Sequence, residues 1–275
     1  MSPLSVVIIA CNEADRIGDA IRSVAFAHEV VVLDSGSTDG TPEVARGLGA
    51  RVVRTDWPGH VAQKNRALAE AAHPWVLALD ADERVGAPLA EAIRRVLAED
   101  PPVEGFHVCR RNHWLGRPLV GGGWYPDRRL RLVRRGRGRW VGEDPHDRLE
   151  VPGPTASLHG DLEHHPYRDL GEHLSTLDRY SATWAAGTNR RAHWWDLAVR
   201  PPWRFVRGYL LQGGYRDGTR GLVVASLGAL YTLLKWSRRW MEQQEQGATI
   251  RSGPATDRRV ESEGRPRRRA MDMDP

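Results

Sequence analysis

Lysine is almost absent: of the 40 basic residues only Lys64 and Lys235 are lysines, and the other 38 are arginine. So lopsided a choice reads as coding bias, so arginine abundance alone says little about partners, even at a formal charge of +5 and a pI near 9.6. It also makes each lysine informative, because a compact ammonium meets an anionic ligand differently from a planar guanidinium. Cysteine is scarce as well. Cys11 and Cys109 lie far apart and outside any CxxC, and no signal peptide precedes the first strand, so a reduced, cytosolic setting is expected. Long apolar runs are missing. The longest near the C-terminus, Leu222 to Leu234, has 13 residues, short of the about 20 that a spanning helix needs. Such a run suits a helix that lies on a membrane or packs in a bundle. Glycine is missing from the turn after the first apolar run, which reads ACNEAD. That argues against a dinucleotide-binding oxidoreductase and a sugar-phosphate nucleotidyltransferase, which need glycine there for close pyrophosphate approach.

What is present is an alternation of strand and helix patterns over the first hundred residues, the signature of an α/β fold with a parallel sheet. Leu4 to Ala10, Val30 to Asp34, Arg51 to Thr55 and Trp75 to Leu79 read as strands. Asn12 offers a cap to a helix carrying Ile17, Ala20, Ile21 and Val24, Thr41-Pro42 opens a second helix, and Val61 to Ala72 reads as a third. Gly105 to Arg111 and Arg128 to Val133 are further strands around the glycine-rich, aromatic loop Gly121 to Pro126. After about Asp169 the pattern turns helical and Trp-rich through Trp240, and Gln243 to Pro275 is polar and without periodicity, as in a disordered tail.

In parallel sheets ligands gather at the carboxyl ends of the strands. Cys11 and Asn12, Asp34, and the pair Asp80 and Asp82 all fall there. The run WVLALDADER delivers two carboxylates at the end of a buried strand, a charge density that suits a divalent cation holding a phosphorylated ligand; an acidic, solvated turn is the plainer reading. From Arg110 to Arg139 ten arginines face one acid, Asp127, which favours a phosphorylated acceptor or a diphosphate; a solvated two-strand face is the alternative. His159, His164, His165 and His173 fit no common zinc spacing.

The ordered series SVVIIACNE, VVLDSGSTDGT, QKNRAL and LDADE resembles glycosyltransferase family 2, enzymes of the GT-A fold. Within it, TDWPGHVAQKNRAL, RRNHWLGRPLVGGGWYPDRRLRL and PHDRLEV are similar to bacterial β-glucosyltransferases of the lipopolysaccharide inner core. The resemblance spans roughly residues 2–240 and implies a GT-A-type, mostly parallel twisted sheet flanked by helices, with a C-terminal helical extension. The expected division is a catalytic domain over 1–168 (nucleotide-sugar half about 1–100, acceptor half about 101–168), a helical and membrane-associated extension over 169–242, and the tail over 243–275.

The resemblance further implies an inverting transfer of a hexose, glucose in this subgroup, from a UDP-type sugar to an anionic glycolipid or lipopolysaccharide-core-type acceptor. Asp82 is then the direct ligand of Mg2+ or Mn2+, with Asp80 on the metal or the donor ribose. Asp34 contacts the base and ribose of the donor, with Cys11 and Asn12 at the other wall; Lys64, kept as lysine against the arginine bias, reads from the sequence itself as a further donor contact, with a solvated helix face as the alternative. The general base matches Asp147 of the pair His146-Asp147, where the family usually has His-Glu, and Asp127, Glu143 and Asp144 remain rivals; His146 orients the base, approaches the metal or is structural. Arg200 to Arg239 carries eight basic residues and one acid, Asp217, interleaved with Trp203, Tyr209, Tyr231 and Trp236. That combination suits an anionic membrane surface, here the inner face of the cytoplasmic membrane, or else aromatic packing against the catalytic domain. The tail balances arginine against acid, so a nucleic-acid partner is not expected.

Overall fold

A computed structural model describes residues 2–142 and 147–251, with side chains described up to residue 245. Strands β1 (Leu4–Ala10), β2 (Glu29–Asp34), β3 (Arg51–Arg54) and β4 (Trp75–Asp80) form on the apolar runs, joined by helices α1 (Ile17–Ser23), α2 (Thr41–Gly47) and α3 (His60–Ala69). They pair in parallel in the order β3-β2-β1-β4. Successive side chains of β1 point to opposite faces. Leu4, Val6 and Ile8 pack with Ile17 and Ile21 of α1 and with Leu89, Ile93 and Leu97 of α4 (Ala87–Glu99), while Val7 joins Val31, Leu33, Ala67 and Trp140 on the other face. Each such side chain contributes about 1.5–3 kcal/mol when fully buried.

Beyond β4 the chain turns through Ala81 and Asp82 and enters the three-residue β5 (Glu83–Val85). The remaining strands are β6 (Gly105–Trp114), β7 (Arg117–Pro118), β8 (Asp127–Arg134), β9 (Arg139–Val141), β10 (Arg148–Glu150) and β11 (Thr155–His164). The sheet continues from β4 through β8, β6 and β11 to β5; β7 pairs with β6 beside this path, and β9 and β10 form a separate ribbon. Among the described residues the main sheet has nine strands. Because β4 and β5 are contiguous in sequence yet are separated in the sheet by β8, β6 and β11, the sheet curls to bring them together. Arg110 of β6 and Arg131 of β8 meet Glu83 of β5 inside the curl.

The C-terminal part comprises α5 (Leu170–Gly187), α6 (Trp194–Ala198), α7 (Arg200–Val206), a π-helical turn (Arg207–Leu211), a 3-10 turn (Gly214–Asp217) and the long α8 (Gly218–Arg251). Asp169 caps α5 by accepting from the Glu172 amide at 2.8 Å. A third apolar cluster of Trp114, Leu119, Leu177, Val224 and Leu227 fastens β6 and its loop to α5 and α8. Among the described residues no helix is long and apolar enough to cross a membrane.

Four local expectations are corrected. Asn12 caps no helix: it sits at φ 57° and its side chain is taken by Thr38, while α1 begins only at Ile17. Helix α3 ends at Ala69 rather than Ala72, because the Ala72 and His73 amides donate to Ser5 Oγ at 3.1 Å and leave the helical path. Helix α8 runs past Gln243 to Arg251, since the MEQQEQ segment is built of good helix formers; residues 252–275 of the expected tail lie outside the described residues. Trp236 is 3% exposed, packed edge-on against Trp184 with Arg200 over its ring, so it belongs to the helix packing and not to a membrane-facing set.

Candidate active site

Sheet register brings the polar strand ends together. Ala10 of β1 is opposite Asp34 of β2, and Ile9 is opposite Asp80 of β4, so three carboxyl ends finish at one level on adjacent strands. The loops beyond them interlock: the Asn12 amide donates to Ser37 Oγ at 2.9 Å, and the Thr38 amide donates to Asn12 Oδ1 at 2.8 Å. The Glu13 amide donates to Thr41 Oγ1 at 2.8 Å, and the Ala14 amide to Asp39 Oδ2 at 3.0 Å. Asp34 is fully buried and accepts from the Gly36 and Ser37 amides, which folds the SGSTDG turn around its carboxylate. Cys11 is exposed at this rim, its thiol directed at the Ser35 carbonyl; burial and the neighbouring Asp34 push it up from its ordinary pKa, so it is not a thiolate nucleophile.

The centre of the site is a row of alternating charges. Lys64 Nζ on α3 lies 3.2 Å from Asp80 Oδ1 and donates to Asp147 Oδ2 at 2.8 Å, above the Trp140 ring. Arg131 donates to Asp80 Oδ2 at 2.9 Å and to Glu83. Burial alone pushes the Asp80 carboxyl up, but Lys64 and Arg131 outweigh it and hold the group well below the usual carboxylate range. For Lys64 the same balance runs the other way: burial works against its charge, Asp80 and Asp147 outweigh burial, and its pKa is raised. Both oxygens of Asp80 are therefore engaged by cations of the chain itself.

Asp82 differs. Its Oδ1 is buried without a hydrogen-bond partner, a cost of about 1–3 kcal/mol or more for a charged group. Its Oδ2 lies 3.4 Å from His164 Nε2. On the far side of that ring, His164 Nδ1 is 2.6 Å from Asn112 Oδ1, and Asn112 Nδ2 donates to the Trp124 carbonyl at 2.8 Å. A carbonyl can only accept, so the amide nitrogen faces Trp124, the amide oxygen faces His164, and Nδ1 carries the proton. A neutral His164 then points its Nε2 lone pair at an ionised carboxylate, and this is tolerable only with a cation between them. Burial pushes the Asp82 carboxyl up, and the neighbouring His164 outweighs burial and lowers it. A carboxylate with one orphaned oxygen, and with the other facing an imidazole lone pair, fits a divalent metal ion. Among the described residues no group of three or more His, Cys, Asp and Glu side chains converges in metal-binding geometry.

Several of these residues are invisible to the sequence reading. Glu83 closes the LDADE run, and Asn112 and Arg131 lie within RRNHWLGRPLVGGGWYPDRRLRL, but neither run tells which of its side chains turn to the site; Trp140 carries no motif, and His164 stands among histidines that fit no zinc pattern. Half of the ten arginines between Arg110 and Arg139 pair with acids from outside the segment. Arg110 pairs with Asp127 and Glu83, Arg111 with Asp161, Arg131 with Asp80 and Glu83, Arg134 with Asp100, and Arg137 with Glu104. Six of the ten are thus paired within the chain, Arg129 with Asp127 included, so the segment offers less free positive charge to a phosphorylated ligand than its sequence suggests. Asp127 is held by Arg110 and Arg129, which outweigh its burial and lower its pKa. His146, Glu143 and Asp144 lie outside the described residues.

The family model for glycosyl transferase family 2 matches residues 5–135. The lipopolysaccharide core biosynthesis glycosyltransferase LpsC of Rhizobium meliloti (strain 1021) is 33% identical over 247 residues, covering 84% of this chain and 90% of that protein. The chain belongs to glycosyl transferase family 2. It is a glycosyltransferase of α/β fold, with a curled, largely parallel sheet of GT-A type flanked by helices. An uncharacterized glycosyltransferase of Rickettsia bellii (strain RML369-C) is 45% identical over 96 residues, a stretch that covers 34% of this chain and 33% of that one. Among solved structures, glucosyl-3-phosphoglycerate synthase from Mycobacterium tuberculosis, in complex with Mn2+, UDP and glucosyl-3-phosphoglycerate, is 23% identical at a TM-score of 0.35, over 49% of this chain and 57% of that one. S. aureus TarS 1–349 is 13% identical at a TM-score of 0.45, over 89% of this chain and 92% of that one.

Proposed function

We propose that this glycosyltransferase moves a hexose, glucose in our reading, from a UDP-type sugar to an anionic glycolipid or lipopolysaccharide-core-type acceptor, with inversion and with a divalent cation. The observation that carries the metal-assisted reading is Asp82: a partly buried carboxylate whose Oδ1 is buried without a partner and whose Oδ2 faces the Nε2 of His164. Asp82 and His164 would hold the ion. A carboxylate with an imidazole suits Mn2+ better than Mg2+, which seeks oxygen ligands. When bound, the ion neutralises charge that develops on the leaving diphosphate. Asp80, with both oxygens engaged, instead sets the position of Lys64, and the ammonium of Lys64 adds fixed positive charge on the donor side. The interlocked loops of Asn12, Asp34, Ser37 and Thr38 wall the nucleoside.

Asp147 is the general base in this reading. It takes the acceptor hydroxyl proton on its carboxylate as that oxygen attacks the anomeric carbon, opposite the departing diphosphate. The ammonium of Lys64, 2.8 Å away, holds the Asp147 carboxylate in place before the acceptor arrives. The lipid-linked character of the acceptor rests on LpsC, whose name places that protein in lipopolysaccharide core biosynthesis, and on the surface of the C-terminal helices. Trp194, Trp195, Trp203, Leu210, Leu211 and Tyr215 are each more than 45% exposed there. The two acids of that stretch turn inward, Asp196 to the His193 amide and Arg200, Asp217 to the Val120 and Gly121 amides, so the outward face is cationic and aromatic. Aromatic rings seat at lipid headgroups while arginines meet anionic lipid, which supports peripheral docking on the cytoplasmic membrane face.

The test is a screen of nucleotide sugars with core-type acceptors and Mn2+, read as nucleoside diphosphate release and product mass. A single hexose added to the acceptor is expected. Hydrolysis of every donor without any product of increased mass would overturn the assignment.

A further inference from the structure

The hydrogen bonds that hold His164 do not end at Asn112. Trp124, whose carbonyl accepts from Asn112, belongs to the Gly121–Pro126 loop, and that loop is fastened to the C-terminal helices. Asp217 accepts from the Val120 amide at 2.9 Å and the Gly121 amide at 2.8 Å, and the Gln212 carbonyl accepts from the Gly122 amide at 2.9 Å. The contact is backbone against backbone: a Cβ at Gly121 would fall 2.1 Å from the Gly213 carbonyl oxygen, so only glycine fits. The Trp124 amide closes the loop on the Gly121 carbonyl at 3.1 Å. Asn112 is 4% exposed, so bulk water has little access to replace a partner it would lose.

We propose that Asn112 is a positioning residue that locks His164 in the tautomer whose Nε2 faces Asp82, and that Asp217 holds the loop on which Asn112 depends. The inference deepens the metal-site reading given above and rests on it only for its consequence in metal affinity. Its physical content is that the imidazole has two competing neutral tautomers, and an acceptor on Nδ1 selects the one that leaves Nε2 free. An outer hydrogen-bond partner of this kind is worth about 10–100-fold in metal affinity. It also makes the C-terminal helices part of the site: an element outside the sheet sets the geometry of the Asp82 and His164 pair through one loop and one amide.

Two readouts test it without turnover. Long-range 1H–15N correlation spectra of the metal-free native chain at a pH where His164 is neutral report which ring nitrogen carries the proton. Nδ1–H is expected, and an Nε2–H tautomer overturns the proposal whatever any variant does. Calorimetric titration with Mn2+ then compares native, Asn112→Ala, Asn112→Asp and Asp217→Ala chains, each checked for a native melt. Asn112→Ala should weaken Mn2+ by about 10–100-fold. Asn112→Asp, which still accepts from Nδ1–H but loses its donation to the Trp124 carbonyl, should bind Mn2+ more tightly than Asn112→Ala, and Asp217→Ala should show a smaller loss with partial change of tautomer. Unchanged Mn2+ affinity in folded Asn112→Ala, or a full loss in folded Asn112→Asp, contradicts it. Asp82→Asn separates the two readings: if that variant binds Mn2+ as the native chain does, the metal site is wrong, while the tautomer measurement still decides the role of Asn112.

Discussion

Replacing Arg131 with methionine probes the curl of the sheet and the site together. The guanidinium is 4% exposed and serves two carboxylates, Asp80 at 2.9 Å and the fully buried Glu83. Burial works against its charge, and Glu83 and Asp80 outweigh that and raise its pKa. Without it, Asp80 keeps Lys64 at 3.2 Å, and Glu83 keeps Arg110 at 3.5 Å and the Asp80 amide at 3.1 Å. Breaking a buried pair by removing one partner costs about 3–5 kcal/mol. The surviving second cations put this case near the low end, about 3 kcal/mol, or roughly 6–12 °C in Tm for a chain of this size. Thermal melts by circular dichroism at pH 7 give the shift. The double variant Arg131→Met with Glu83→Gln removes the orphaned charge as well and should recover at least about 1 kcal/mol of the loss. A single variant melting within about 2 °C of native would refute the claim that this pair closes the curl.

Asp80 gives a pH prediction of fixed sign. Its pKa in the folded chain lies well below the ordinary carboxylate value, so its pairs contribute full stability above about pH 4 and lose it as the pH falls further; acid unfolding followed by fluorescence should be less steep below pH 4 in Asp80→Asn. Asp82→Asn should slow turnover by at least about 10²-fold while leaving the melt within a few degrees, measured by steady-state kinetics. Asp147→Asn should leave donor affinity nearly unchanged and slow transfer by about 10²–10⁴-fold in a KM-against-kcat comparison; if Asp127→Asn has that effect instead, the base is Asp127. Trp194, Trp195 and Trp203 changed together to serine should abolish flotation with anionic vesicles at low salt, and a native chain that stays in the soluble fraction under those conditions contradicts membrane docking.

The parallel half of the sheet was legible because β1, β2 and β4 are continuous apolar runs, a pattern that tolerates few alternatives, and their register then places Cys11, Asn12, Asp34 and Asp80 without further information. The other half was not. The strand Glu83–Val85 has three residues, too short for any periodicity, and only the curl explains why it pairs with Thr155–His164. Arg131 alternates with its neighbours as any strand arginine would, and nothing local reveals that it faces inward to meet Glu83. The charge of the Arg110 to Arg139 segment looked unbalanced for the same reason: its acids, at Asp100, Glu104 and Asp161 among others, are distant in sequence and close only after folding. His164 was hidden by its neighbours His159, His165 and His173, and only its partners Asn112 and Asp82 distinguish it from them.

The measurement that bears most directly on the central claim is nucleoside diphosphate release from a nucleotide sugar with a core-type acceptor, in native, Asp82→Asn and Asp147→Asn chains, with Mn2+ and with chelator. The account predicts acceptor-dependent release by the native chain with Mn2+, near-complete loss in chelator and in both variants, and donor binding retained in Asp147→Asn. Full release in chelator, or native rates in folded Asp82→Asn, would contradict it.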